Sequence, residues 1–147
     1  MECWWLKWIG SIVVGNFKGE PNSVNEFIQT AILDETIVIF GQGDHSREYI
    51  SLNDMVSAVE KSVQFLKNNK DNGIFEKIII SSNEPISMAD LAQKVLNLTN
   101  KGSMKHIDKT SRAFSICSKA EKANKIIDWN TADTLDSILR SIIGKLK

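Results

Sequence analysis

Three consecutive isoleucines in the stretch FEKIIIS, residues 75–81, constrain the chain more than any other feature. Side chains alternate sides along a strand, so three adjacent isoleucines cannot all face one way. A strand here needs apolar cover on both faces, which is the condition of a parallel sheet lying under helices. Amphipathic stretches flank it on both sides in the sequence. Strands separated by helices predict an α/β or mixed α+β piece. Residues 75–81 are then expected as a core strand whose sheet edge is exposed or taken up by a partner.

The rest of the chain is punctuated regularly. NFKGEPN, residues 16–22, reads as a loop. Ser23 with Glu26 three residues on has the capping-box pattern, and Val24, Phe27, Ile28, Ala31 and Ile32 share the face of the helix that follows. TIVIF, residues 36–40, is a β-branched run and reads as a strand. Gly41 and Gly43 turn the chain, and residues 47–52 extend again. Asn53 or Asp54 is placed to cap a long helix with the stripe Val56, Val59, Val63 and Leu66, which stops at the polar run KNNKDNG. Ser87 is placed to cap another helix, with Leu91, Val95 and Leu98 inward. Residues 105–107 and 114–116 read as short strands, and Ser118 with Glu121 as a second capping box. Leu135, Ile138, Leu139, Ile142, Ile143 and Leu146 form the stripe of a closing helix.

At 147 residues the chain is long enough for one domain with a real core. Eighteen basic residues balance eighteen acidic ones, which argues against a nucleic-acid partner, because phosphate contacts call for a basic excess. Cys3 and Cys117 are isolated from one another and from His45 and His106, so no metal-ligand spacing exists, and a reduced, cytoplasmic chain is the simpler reading. The start MECWWLKWIGSIVVG holds three of the four tryptophans, but Glu2 and Lys7 interrupt it; it suits neither a signal peptide nor a membrane span. It reads as a buried strand with a ragged start, or as a start foreign to the original fold. No GxSxG, HExxH, GxxxxGK[ST] or GxGxxG occurs, no catalytic set is assigned, and His45 reads as a turn residue.

GQGDHSREYISLNDMVSAV, residues 41–59, places Arg47 between a glycine turn and a helix start. Such an arginine is either a solvated charge paired with Glu48 or Asp54, or a guanidinium fork aimed at phosphate oxygens. With its preceding strand this stretch resembles the C-terminal, substrate-binding half of the extended short-chain dehydrogenase/reductases, the NAD-dependent sugar-nucleotide epimerases and dehydratases. In that family a hydrophobic strand, a G-D/Q-G turn and R-D-[FY]-[IV]-x-[VL]-x-D follow one another, as Gly41-Gln42-Gly43, Arg47-Glu48-Tyr49-Ile50, Leu52 and Asp54 do here. IIISSNEPISMADLAQKV resembles the family's FNIGSGEPVSLLELAEKI block, with Ile79 at its asparagine and Ser81 and Asn83 at its glycines. SKAEKANKIIDW resembles the final D-x-S-K-A helix, with Trp129 at its tryptophan. The family's NVYGP asparagine falls at Ser11.

The resemblance implies a role for four residues in substrate binding. Arg47 would reach the diphosphate of a nucleotide-diphosphate sugar, Phe40 would wall the base, Arg112 would be a second diphosphate-facing arginine, and Ser11 would stand at the asparagine position. It also implies a division into an atypical segment, residues 1–21, and a substrate-binding region, residues 22–147. The family's glycine-rich dinucleotide fingerprint and its Tyr-x-x-x-Lys are not found: the single tyrosine, Tyr49, is followed four residues on by Asn53. NAD or NADP therefore belongs to the parent family and is not expected to be held by this chain alone. The expected function is the substrate-binding portion of an epimerase or dehydratase, completed by a Rossmann half or a homo-oligomer. A non-catalytic binding or regulatory module is the alternative.

Overall fold

The computed structural model of the chain describes residues 11–14, 22–69, 76–108, 115 and 118–146. The elements run β1 (Ser11–Val14), α1 (Ser23–Ile32), β2 (Thr36–Phe40), β3 (Ser46–Ser51), α2 (Leu52–Asn68), β4 (Ile86–Ser87), α3 (Met88–Thr99), β5 (Ser103–Ile107), α4 (Glu121–Ile127) and α5 (Leu135–Leu146). Two parallel pairings organise them. β1 lies beside β3 with Ser11 opposite Glu48, and β2 lies beside β5 with Thr36 opposite Ser103. A short antiparallel contact sets Arg47 of β3 opposite Ile86 of β4. The result is the mixed α/β class expected from the alternation of strands and helices.

Helix starts shift slightly from expectation. Asn22, not Ser23, caps α1, its Oδ1 accepting from the Asn25 amide at 2.9 Å. Ser51, not Asn53 or Asp54, caps α2, its Oγ accepting from the Asp54 amide at 3.0 Å. Ser87 caps α3 as expected, accepting from the Asp90 amide at 3.0 Å. The Ser118–Glu121 box does not form. α4 opens at Ala120 without a side-chain cap, and the Ala120 amide donates to Asn83 Oδ1 instead. Asn83 takes a positive φ of 58°, as a short amide side chain tolerates.

One core joins α1, α3 and α5 to β2 through Val24, Ile28, Ile37, Leu91, Val95 and Leu139. A second gathers Ile50, Ala58, Ile78, Ile80, Ala123 and Trp129. The triple isoleucine is thus covered as expected: Ile78 and Ile80 are buried and Ile79 is half-buried. Yet residues 76–81 form no strand, and Phe75 lies outside the described residues. Their alternation serves packing without a hydrogen-bonded ladder. The proposed strand over residues 114–116 also falls largely outside the described residues.

The α2 stripe is the main departure. Val56, Val59 and Val63, expected inward, are 48%, 40% and 42% exposed, and Leu66 is half-buried. The helix instead turns Asp54 and Ala58 to the core, with Phe65 packed on the same cluster. The cause is the Asp54 carboxylate, 3% exposed, which accepts from the Ala132 amide at 2.9 Å and the Asp133 amide at 3.1 Å. The Asp54 carbonyl takes the Trp129 indole N–H at 3.2 Å. A buried carboxylate needs such donors, and the small Ala58 beside it permits a close approach of the helix. Asp54→Ala leaves two amides without their charged acceptor, so a loss of about 2–4 kcal/mol is expected. Asp54→Asn, which keeps one acceptor oxygen, should lose less; urea unfolding of both variants checks the order.

Tyr49 is 3% exposed, and its hydroxyl makes no well-aligned hydrogen bond, the Ser23 hydroxyl being the polar group near it. Burial pushes the phenol from 10.0 up to about 12, against weaker lowering by the Ser23 hydroxyl and the Arg47 guanidinium. Below about pH 10 the phenol is neutral in folded and unfolded chains alike, and its contribution to stability is whole. Above that, the unfolded chain gives up its proton first, so stability falls as pH rises towards 12. Tyr49→Phe should match or slightly exceed the parent at pH 8. It should also flatten the alkaline decline by about 2 kcal/mol, measured as the difference between the two unfolding curves across pH 9–12.

Candidate functional site

The segment from Phe40 to Arg47 is positioned by contacts on both of its sides. Gly41 and Gly43 adopt φ of 63° and 70°, the left-handed region that a side chain disfavours. A Cβ on Gly43 would meet Ile39 Cγ2 at 2.5 Å and Ala89 Cβ at 3.2 Å, so the turn is packed down onto α3. The Ala89 amide donates to Gly43 O at 3.1 Å, and the Met88 amide to His45 O at 3.2 Å. On the other side the Gly41 amide donates to Ile107 O at 2.9 Å, and the His106 Nδ1–H donates to Gly41 O at 2.9 Å. The Ser46 amide donates to Ser115 Oγ at 2.9 Å. The first turn of α3 and the end of β5 thus grip the turn between them.

Arg47 and Glu48 are adjacent in β3 and so face opposite ways. Glu48 points inward, 0% exposed, with Oε2 accepting from the Ser118 amide at 3.0 Å and Oε1 lacking a hydrogen-bond partner. Arg47 is half-buried on the other face, and its Nη1 donates to Ser46 O at 3.1 Å. Asp54, the other acid considered for Arg47, has both carboxylate oxygens on the amides of Ala132 and Asp133. Ser11 stands opposite Glu48 in register, so it shares the starting end of the β1–β3 pair with Arg47. Arg112 lies outside the described residues.

Phe40 closes β2 and is 45% exposed, on the strand's outer face with Thr36 and Val38. The register sets Ile107 beside Phe40 and Lys105 beside Val38. That face therefore carries an aromatic ring, two apolar side chains and an exposed cation. Lys105 was not singled out from the sequence. Its signal emerges only once the SMKHI stretch is laid in register on TIVIF.

A cavity of about 330 Å³ lies elsewhere, where β1 and β3 end at Val14 and Ser51, and Asn53, Ser141 and Lys145 help line it. It contains neither Phe40 nor Arg47. No group of three His, Cys, Asp or Glu residues among the described residues could hold a metal. No described helix is long and apolar enough to cross a membrane. His45 sits in the turn and His106 on β5, where its ring braces that turn. The space a Cβ would take at Gly43 is filled by Ile39 and Ala89, and Tyr49 is buried in the core with its phenol raised.

No protein-family model and no curated protein matches the sequence. Solved structures do. UDP-glucuronic acid 4-epimerase from Bacillus cereus, in complex with UDP-glucuronic acid and NAD, matches at a TM-score of 0.77 and 18% identity, over 97% of this chain and 45% of its own. UDP-glucose 4-epimerase from Thermotoga maritima, with UDP-glucose, matches at 0.73 and 21% identity, over 96% and 44%. dTDP-glucose 4,6-dehydratase from Bacillus anthracis, in complex with NAD, matches at 0.70 and 18%, over 91% and 41%. The chain spans less than half the length of each of these enzymes. Its fold is that of one part of the extended short-chain dehydrogenase/reductases, the fold of the NAD-dependent sugar-nucleotide epimerases and dehydratases.

Proposed function

We propose that this chain binds the nucleotide and diphosphate of a nucleotide-diphosphate sugar, as the substrate-binding region of an epimerase/dehydratase-like protein, and performs no hydride chemistry alone. The observation that carries the reading is the braced segment between Phe40 and Arg47. It sets an exposed aromatic ring and a half-buried guanidinium at the two ends of a rigid turn, within a fold whose solved examples hold UDP-sugars. A flat ring suits a base, and a guanidinium fork suits a diphosphate. Lys105 adds a second positive charge on the Phe40 face. Arg112 and Ser11 remain proposed contributors, as do the boundaries at residues 1–21 and 22–147. A cytoplasmic setting, where nucleotide sugars are made and used, goes with this reading.

The hydride acceptor and the acid–base pair would come from a complementary dinucleotide-binding half. Turnover of UDP-glucose or dTDP-glucose by the chain alone, with NAD added, is expected to be nil, and any turnover above a no-protein control overturns that division of labour. For binding, calorimetric titration of the wild-type chain with UDP or dTDP comes first. Arg47→Ala should weaken the measured affinity by about 1.5–3 kcal/mol, the worth of a charge-assisted hydrogen bond, with the unfolding midpoint nearly unchanged. An arginine acting through a surface ion pair gives the opposite pattern: affinity intact and stability down by at most about 1 kcal/mol.

A further inference from the structure

The cavity of about 330 Å³ where β1 and β3 end shares neither Phe40 nor Arg47 with the turn described above. α5 lays two neighbouring rows along it. Ile138 and Ile142 are buried and, with Val14, give it an apolar floor. Ser137, Ser141 and Lys145 follow one another at four-residue intervals and so form a polar row on one side of the helix. The first turn of α2 adds Leu52 and Asn53. Two of the polar side chains are already engaged: the Ser51 hydroxyl accepts from the Asp54 amide, and the Ser137 hydroxyl donates to the Thr134 carbonyl. The side chains of Asn53, Ser141 and Lys145 make no hydrogen bond or ion pair among the described residues.

The charges of the lining lie at its two ends. Lys145 is in the last turn of α5, and Asp133 stands just before the helix begins. The Asp133 carboxylate receives the Ser137 hydroxyl at 3.3 Å, and its amide is held on Asp54 Oδ2 at 3.1 Å, which places a second carboxylate behind it. At 1.5 Å per residue about 18 Å of backbone separate Asp133 from Lys145. The lysine stem leans back towards the start of its helix and shortens this to roughly 10 Å, enough for two charge-assisted contacts and a short carbon chain between them.

We infer that this cavity is a ligand site separate from the Phe40–Arg47 turn, and that it takes a short zwitterionic ω-amino acid. The carboxylate meets Lys145 and Ser141, the ammonium meets Asp133 and the Asn53 side-chain oxygen, and the methylenes lie over Val14, Ile138 and Ile142. Each polar group left open is then used, and each charge meets its opposite. A dicarboxylate would set its second charge against Asp133 and Asp54. A phosphate would find a lone ammonium in place of a guanidinium fork. The volume is room for about ten water-sized groups at roughly 30 Å³ each, which accommodates the eight non-hydrogen atoms of 5-aminopentanoate.

This inference stands apart from the nucleotide-binding reading, and its probes contain no nucleotide. The test is calorimetric titration of the whole chain with 5-aminopentanoate, pentanoate, 1-aminopentane, glutarate and glycine, each to about 10 mM. 5-Aminopentanoate should bind saturably at one site per chain. The other four, which lack one charge, carry the wrong one or are too short to span the ends, should bind at least about tenfold more weakly. Lys145→Gln should weaken 5-aminopentanoate by at least about tenfold, and Ser141→Trp, which fills the cavity, should abolish its binding. Both positions are exposed, so the circular dichroism spectra should be unchanged. Lys101→Gln, outside the lining, should bind as the wild type does. No saturable binding of 5-aminopentanoate by the wild type overturns the proposal and leaves Lys145 a solvated charge. Equal binding of pentanoate or glutarate overturns the ligand class. Binding that survives both Lys145→Gln and Ser141→Trp places the ligand elsewhere and overturns the site.

Discussion

The Asp54 carboxylate is the contact on which the arrangement of the second core depends. It is charged, almost wholly buried and satisfied by the Ala132 and Asp133 amides, while the carbonyl of the same residue holds the Trp129 indole. A carboxylate in such a place is tolerable only if its acceptors are filled, so the first turn of α2 must face residues 129–133. That single requirement fixes the roll of the helix about its axis. It brings Ala58 against the core, seats Trp129 at 1% exposure and carries the Val56–Val63 strip out to solvent. Packing alone would have chosen the other roll, since the valines are the more apolar face.

Glu48 is a second buried carboxylate, with a different balance. It ties β3 to residue 118 through one oxygen, while its other oxygen lacks a hydrogen-bond partner and the neighbouring Tyr49 hydroxyl has no well-aligned one. Both faces of β3 are covered: Glu48 and Ile50 face one way and Tyr49 the other, so Arg47, on the Tyr49 face, is half-buried at the end of β3 adjoining the glycine turn. The two ends of one short strand therefore carry distinct duties. The Ser51–Asp54 end anchors the second core, and the Arg47 end is held by backbone bonds to α3, β5 and Ser115. The cavity beside Val14 and Ser51 belongs to the anchoring end.

Much of this was legible in the residues, and the failures have identifiable causes. α1, α3 and α5 followed their apolar stripes, except at Leu146 at the exposed end of α5, because their buried faces are hydrophobic apart from Thr99, so periodicity and burial largely coincide. β2 followed its β-branched run, and its pattern of alternate burial matches. α2 broke the rule because its buried face is chosen by a carboxylate, which a hydrophobicity stripe counts as solvent-facing. The isoleucine triplet announced two-sided cover correctly but not the missing ladder, since burial requires neighbours and a strand additionally requires a partner backbone. The caps slipped by one to three residues because Asn22, Ser23, Ser51, Asn53 and Asp54 are all competent cap types. Geometry selects among them, not chemistry. Of the proposed site, Phe40 and Arg47 stand out in the sequence beside their flanking glycines, whereas the placing of Lys105 beside Val38 depends on a strand register that no local pattern encodes.

The proposed division between binding and chemistry rests on the same physics. A tyrosine that serves as a proton-transfer group must reach solvent or substrate and is helped by a lowered pKa. Tyr49 has the reverse on both counts: it is buried in the core that also holds Val24, Ile28 and Leu139, and burial raises it to about 12. A glycine that cradles a diphosphate must leave open the space its missing Cβ would fill. At Gly43 that space is already taken by Ile39 and Ala89. Tyr49 and Gly43 are thus both committed to packing. What this packing leaves outward around the turn is the Phe40 ring at one end and the Arg47 guanidinium at the other. Those groups are suited to holding a charged ligand in place, and neither can transfer a hydride or a proton near neutral pH.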